Sequence, residues 1–354
     1  MNTRTLLPAL AALLAALALP AAAQQPADSL SIIDMLNAAE DANPTLQSAA
    51  LTLENSRVAY DRSIASSDAR LDQIKAELQW ERAQLNFGQA TVRELLSLAE
   101  AYVRLQQANE NLSMLEERLR LAQLDLQQAA ERVEIGAASP VTELQARVAA
   151  LNAELNLAGA RNTRQFTTLP DLADATGIDM AMLDAAALTS QPPETADLGA
   201  LDSYFATTAE RVEHDFAARQ LDIDELDLKL KSMQGTSPLD LQTATNTVAS
   251  SRATVESTAS DLQLATASAY ASAQQALGTV TLRELQLELQ AENTRRTQEQ
   301  FDAGLLTESQ LASSQADLVG AQDALRAAQW TAYFAWIRLH DAAGTDVLAV
   351  WDSR

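Results

Sequence analysis

The sequence predicts an all-α protein made of two tandem repeats, each built of long antiparallel coiled-coil helices. Three observations predict it. Hydrophobic residues make up 47% of the 354 residues, yet aromatics are only 4%, with 10 Gly and 9 Pro. The apolar content is therefore mostly Ala and Leu, the composition of long packed helices. Leu98, Leu105, Leu112, Leu119, Leu126 and Val133 recur every seven residues, with Ala101, Ala108, Leu115, Ala122 and Ala129 as a companion row. That is an a/d seam with one mostly small row, suited to closely packed helices. Finally, the chain aligns with itself at a shift of 168 residues.

The duplication is carried by its less common residues. Ala101-Tyr102 falls on Ala269-Tyr270, Gln106-Gln107 on Gln274-Gln275, and Gly136 on Gly304. With a one-residue gap placed after Gly136, Leu172, Asp174, Gly177 and Asp179 meet Leu339, Asp341, Gly344 and Asp346. Self-similarity of this length dictates a repeated architecture.

The elements follow in order. Arg4, the apolar run Leu6 to Leu19 and Ala21-Ala22-Ala23 before Gln24 have the form of a cleavable export signal over residues 1–23, the apolar run being too short to span a bilayer well. The remaining divisions are a first repeat over 24–178, a linker over 179–198 containing Gln191-Pro192-Pro193, and a second repeat over 199–354. Repeat one starts with a short helix from Leu30 to Glu40. Pro44, after Asn43, then opens a helix to about Ala65, at a position where its missing N–H costs nothing. Ser66-Ser67-Asp68 is a turn-like cluster, matched in repeat two by Met233-Gln234-Gly235-Thr236-Ser237-Pro238. The long helix runs from about Ala69 to Ile135 without a proline and stops at Gly136, with Ser139 as the next N-cap and Pro140 behind it. A returning helix carries Leu144, Val148, Leu151 and Leu155 along one stripe and ends near Thr168, before Pro170. In repeat two, Ala303-Gly304-Leu305-Leu306-Thr307 makes the same hairpin, followed by Leu311, Leu318 and Leu325. No segment alternates well enough to be a strand. Each repeat is thus one very long helix lined by two shorter ones set end to end. Such a rod leaves Ala/Leu flanks uncovered, and closing several rods into a ring would cover them.

The composition excludes much. With 25 Lys+Arg against 48 Asp+Glu, the net charge of −23 argues against nucleic acid as a partner. Zero Cys removes disulfides, thiolate metal sites, a Cys nucleophile and a lipidated N-terminal Cys. His214 and His340 sit at unmatched positions of the two repeats, so neither metal nor cofactor is expected. No nucleophile constellation or phosphate loop is present, so no enzyme is expected. Trp330, Tyr333, Phe334, Trp336 and Ile337 form an aromatic patch on the last helix, read as packing between the repeats. If the chain lines a duct, its acidic excess favours cationic cargo.

These residues resemble the TolC-like outer-membrane efflux protein family. The resemblance rests on the opening Asn43-Pro44-Thr45-Leu46, the Ala101-Tyr102 pair, the tips Gly136-Ala137-Ala138-Ser139 and Gly304-Leu305-Leu306-Thr307, and the closing Asp174-Ala175-Thr176-Gly177 and Asp341-Ala342-Ala343-Gly344. It implies a homotrimer whose repeats form an oligomeric α-barrel across the periplasm, and it places the chain outside the cytoplasm, in the outer membrane or periplasm. It also implies that both tips dock a periplasmic adaptor protein of an inner-membrane transporter, in efflux or type I secretion. The exposed apolar pair Leu305 and Leu306 fits that role. The sequence departs from the family at one place: the family inserts a β-hairpin before each long helix, whereas here only Ser66–Asp68 and Gly235–Pro238 stand there. A membrane strand needs about 9–11 residues, so little or no β-barrel is expected. A barrel-less periplasmic tube or spacer is the alternative reading.

Overall fold

The computed structural model describes residues 29–66, 69–188, 190–193 and 198–345. The export signal expected over 1–23, Ser67 and Asp68 of the first turn, and Asp346 lie outside the described residues. The all-α reading holds, with one small exception: Ser29–Leu30 (β1) pairs in parallel with Ala187–Leu188 (β2). Two residues on each side are too few to give an alternating signal in sequence.

Helix α1 spans Ile32–Ala42 behind a reciprocal capping box of Ser31 and Asp34. Asn43 then caps α2 (Pro44–Ser66), its Oδ1 accepting from the N–H groups of Thr45 and Leu46 at 2.8 and 3.0 Å. The long helix α3 (Arg70–Glu134) has 65 residues, about 100 Å at the α-helical rise. Its counterpart in repeat two, α9 (Pro238–Asp302), also has 65. Such equality in two helices of unlike sequence is the structural mark of the duplication.

Beyond the first tip, α4 (Pro140–Thr163) does not end at Thr168. It runs through a π-turn, Arg164–Thr168, into α5 (Leu169–Thr176), which stops at Gly177 with φ 68°. The Leu169 N–H reaches back to the Arg164 carbonyl. This widened turn lets Pro170 sit inside a continuous helix, where an α-turn would bring its ring against a carbonyl. It also moves the one-residue gap of the duplication. Both tips and their caps, Ser139 and Thr307, keep the 168 shift. Gly177 then follows Ser139 by one residue more than Gly344 follows Thr307, and the π-turn takes up the extra residue. The gap therefore lies at 164–168, not after Gly136.

The stretch between Gly177 and repeat two holds α6 (Met180–Ala185), capped by Asp179 and inserting Leu183 fully into the core. Repeat two consists of α7 (Leu201–Ala209), α8 (Val212–Met233), α9, and α10 (Glu308–Ala343) as one unbroken 36-residue helix. The α8–α9 connection is Gln234–Ser237, with Gly235 at φ 68°.

The long elements form a ply four helices wide: α2 and α4 end to end, then α3, then α8 and α10 end to end, then α9. The expected seam of α3 is buried or half-buried along its length, as is Thr266, Ala273, Val280, Leu287, Thr294 and Phe301 on α9. At mid-height a belt closes around α3. Ile32 and Met35 of α1, Leu172 of α5, Leu183 of α6 and the aromatic patch of α10 pack on Leu96, Ala99, Tyr102 and Val103. Trp330, Tyr333, Phe334, Trp336 and Ile337 are all at most 6% exposed, so the patch is packing. Ion pairs join the repeats across α3: Arg118 to Asp317, Arg326 to Glu110 and Arg338 to Glu100 toward α10, and Arg219 to Glu81 toward α8.

The stripe on α4 lies on the open face of the ply. Leu144, Val148, Leu151 and Leu155 form a stripe, but it faces away from α3 and is 51–69% exposed. Ala150 and Leu157 are the residues buried against the ply. The other outer helix, α9, likewise leaves Leu264, Leu282, Leu285 and Leu289 exposed. Both edges of the ply carry uncovered apolar rows.

Candidate functional site: the hairpin tips and the belt that holds them

Both tips are built alike. Gly136 and Gly304 each have φ 72°, the left-handed conformation that ends a helix and that glycine adopts without a Cβ penalty. The N–H groups of Ala137 and Ala138 both return to the Arg132 carbonyl, and that of Leu305 to the Gln300 carbonyl. These bonds satisfy the carbonyls that the last turn would otherwise leave free. Ser139 then caps α4 by accepting from the Val141 N–H at 3.0 Å. Thr307 and Gln310 form a reciprocal capping box on α10. A Cβ added at Gly136 or Gly304 would meet no atom within 4 Å, so both turns stand clear of the rest of the chain.

The two tips sit side by side, because α3 packs directly on α10 and Ser309, just behind the second tip, donates to Asp125. Gly136, Ala137, Ser139, Gly304 and Thr307 are exposed, and Ala138 is half-buried. Leu305 is 74% exposed, but Leu306 is only half-exposed. The expected exposed pair is therefore one exposed leucine and one that leans back on the turn, in the position that Ala138 holds in the first tip. Ile135, 78% exposed, is an apolar tip residue that sequence reasoning passed over, taking it only as the end of the long helix. Behind the second tip, the Arg295 and Arg296 guanidiniums hold the Glu292 carboxyl down to about 2. Arg120 likewise holds Glu117 below the usual carboxylate range.

The belt carries a duplicated tie that residue identity only half revealed. Tyr102, fully buried, donates its hydroxyl to the Leu30 carbonyl at 2.8 Å and accepts from the Ser190 N–H at 3.2 Å. Tyr270 donates to the Gly199 carbonyl at 3.2 Å. Each tyrosine thus fastens the segment leading into its own repeat. A second tie pairs unlike residues. Asn43 donates to the Ala175 carbonyl at 2.8 Å and to Glu94 at 2.9 Å. Arg211, 168 positions later, donates to the Asp341 and Ala342 carbonyls at 3.0 and 2.7 Å. Both satisfy the last carbonyls of a returning helix, but one is an amide and the other a guanidinium, so residue matching cannot find the pair.

Among the described residues, no group of three His, Asp or Glu is arranged to hold a metal ion. His340 lies near the end of α10, edge-on to Tyr204 and Trp336, and Nδ1 is 3.1 Å from the Thr345 hydroxyl.

The architecture defines a class: a duplicated helical-hairpin ply, open at both edges, with two turns projecting from one end. Residues 67–177 match the family described as outer membrane efflux protein, a stretch running from the first connection to the Gly177 stop. The resemblance to the TolC-like outer-membrane efflux proteins therefore stands. In fold, the chain is similar to a membrane protein from Pseudomonas aeruginosa, with TM-score 0.67 and 14% identity, over 89% of this chain and 90% of that one. It is also similar to the outer membrane protein VceC of Vibrio cholerae, with TM-score 0.63 and 15% identity, over 89% and 96%. The CmeC outer membrane channel of Campylobacter jejuni gives TM-score 0.62 and 12% identity, over 91% and 88%. At such identities the likeness is one of fold. No curated protein matches the chain in sequence.

Proposed function

We propose that this chain is one subunit of a TolC-like channel in the envelope of a double-membraned bacterium. In this reading it conducts substrate delivered by an inner-membrane transporter and a periplasmic adaptor. The observation that carries the reading is the pair of open edges. The Leu144–Leu155 stripe on α4 and the Leu282–Leu289 stripe on α9 lie at opposite margins of one ply. A head-to-tail contact between unlike edges repeats, and closes into a ring when the rotation allows. Each of these half-to-two-thirds-exposed side chains, once covered, contributes about 1–2 kcal/mol. A homotrimer is the ring proposed, and its wall would be an α-barrel. An acidic lining would favour cationic cargo.

The exported chain should give a trimer mass under native conditions. Leu285→Asp with Leu289→Asp should leave a helical monomer; a trimer unmoved by that change would refute the ring. Docking of the adaptor is assigned to Gly136, Ala137, Ala138, Ser139, Gly304, Leu305, Leu306 and Thr307. Leu305→Asp, exposed and outside the ply, should abolish adaptor pull-down with helicity intact. Pull-down at the original level would count against tip docking.

A second reading has its own support. The α8–α9 connection is only Gln234–Ser237, and the described residues hold no strand longer than two residues. That favours a periplasmic tube or spacer without its own membrane pore. Envelope fractionation separates the two: recovery as a membrane-embedded trimer supports the channel, and soluble recovery supports the spacer.

A further inference from the structure

The chain is acidic overall, yet the face of the ply turned away from the belt carries a basic row. Between Leu96 and Gln106, α3 is exposed only at Ser97 and Arg104. Between Ala328 and Leu339, α10 is exposed only at Thr331 and Arg338. Arg82, Arg93 and Arg104 follow one another at eleven residues, about three turns, and so share one face of α3 at steps of about 16 Å. All three are exposed, and none of their guanidiniums forms a hydrogen bond or ion pair among the described residues. Nine residues, about 180° of helical turn, separate Arg93 from Tyr102, so the row points away from the belt. The carboxylates in this stretch of α3 are half-buried and taken: Glu94 accepts from Asn43, and Glu100 pairs with Arg338. Asp341, the acid that feels Arg93, is half-buried and also feels Arg211. Asp215 of α8 groups with Arg219 and Glu81, and Glu81 lies on the Tyr102 side of α3, about 60° from that residue. Beside the row, α2 sets Arg57 and Arg62 against Glu54 and Asp61. The matching row on α9, 168 positions later, is Ser250, Asp261 and Ser272, one carboxylate against three guanidiniums.

We infer that the Arg82, Arg93 and Arg104 row is an anion-attracting stretch of the duct wall, so that the cargo it favours is a solute carrying carboxylate, sulfonate or phosphate groups. The inference rests on the ring reading above and names the cargo class of that duct. Ring geometry decides which face is the wall. Three plies of four helices, at about 10 Å per helix, give a circumference of about 120 Å and a bore of about 14 Å radius. A belt layer about 10 Å thick would all but fill that bore, so the belt lies outside and the arginine row inside. An acidic lining would draw cations, and the net charge of −23 has that sign. The row reverses the sign locally, because a charged wall of low dielectric focuses its field on the solution beside it. A guanidinium without a partner offers its fork of N–H donors to carboxylate, sulfonate or phosphate oxygens. Steps of about 16 Å are too wide for one small anion to bridge, which suits passage along the row over retention.

Zero Cys allows a test with a single thiol. Ser97 is exposed on the same face, four residues from Arg93 and seven from Arg104. Ser97→Cys in the full-length exported chain is reacted with two methanethiosulfonates of like size, one bearing a sulfonate and one a trimethylammonium group. Each rate is divided by the rate with 2-mercaptoethanol, and native mass is taken on the same samples. The sulfonate reagent should be the faster by this measure. Adding Arg93→Gln and Arg104→Gln should lower the sulfonate-to-ammonium ratio about five- to tenfold at low salt, with helicity and oligomer mass kept. Arg104→Gln alone should lower it in part. Ser113 is exposed on the Tyr102 side of α3, so the ratio in Ser113→Cys should not respond to the two arginines. In the trimer, a maleimide on a polyethylene glycol chain wider than the bore should label Ser113→Cys and spare Ser97→Cys. Equal labelling would put the row outside and overturn the inference. A trimer whose ratio favours ammonium, or ignores the arginine changes, overturns the inference and leaves the ring standing. A monomer refutes the ring, and the duct with it, whatever the rates.

Discussion

Removing the Tyr102 hydroxyl measures how firmly the belt is held, because the duplication supplies its own control. Tyr102→Phe keeps the ring, which is 0% exposed, and deletes only the bonds to the Leu30 carbonyl and the Ser190 N–H. Each half-buried group left without a partner costs about 1 kcal/mol or somewhat more, giving about 2–3 kcal/mol in total. Tyr270→Phe deletes a single, longer and exposed bond to Gly199, for about 0.5–1 kcal/mol. Urea unfolding followed by far-ultraviolet circular dichroism gives both numbers from the midpoint and slope. The protomer concentration must be the same throughout, because association adds to apparent stability. Amide exchange at Ser190 gives a local reading and should accelerate only in Tyr102→Phe. If the two variants lose equal stability, or if Ser190 keeps its protection, the hydroxyl does not fasten the belt as described.

Other consequences are as direct. Gly136→Ala strains a left-handed residue in open space and should cost about 1 kcal/mol. Gly177→Ala places a Cβ 2.5 Å from Ala42 Cβ and should cost about 2 kcal/mol more in the same unfolding assay. Asn43→Ala loses the cap of α2 and leaves the Ala175 carbonyl and Glu94 without their donor, so about 2–3 kcal/mol should be lost; Asn43→Asp should restore the cap and little else. Glu292, at about 2 in the folded chain against an ordinary 4.5, contributes stability above pH 4.5 that disappears as pH falls toward 2. Glu292→Gln should flatten that part of an acid titration of the second tip, and an unchanged titration would remove Glu292 from the tip's acid response.

The reading of elements succeeded where a feature is settled within a few residues of chain. Gly136 and Gly304 end their helices, Ser139 and Thr307 open the next, and the seam of α3 is inward where its heptads say. It failed at Pro170, where a proline that ordinarily ends a helix sits beside a π-turn that makes room for it. It failed again at Leu306, whose neighbour Leu305 is as apolar but points away from the turn. The Asn43 and Arg211 ties escaped because each joins residues 130 or more positions apart through a backbone carbonyl, which no side-chain pattern records.

Sequence alone determined the caps, the duplication and every helix stop discussed except the one at Pro170, because hydrogen bonds and backbone angles within one or two turns decide them. Only the tertiary structure decided which Leu/Ala stripe faces inward and which lies on an open edge. The stripes on α3 and α4 have the same chemistry, and what separates them is the neighbour each one meets. For α3 that neighbour comes from both repeats, α2 and α4 of its own and α8 and α10 of the other, whereas nothing among the described residues covers the α4 stripe.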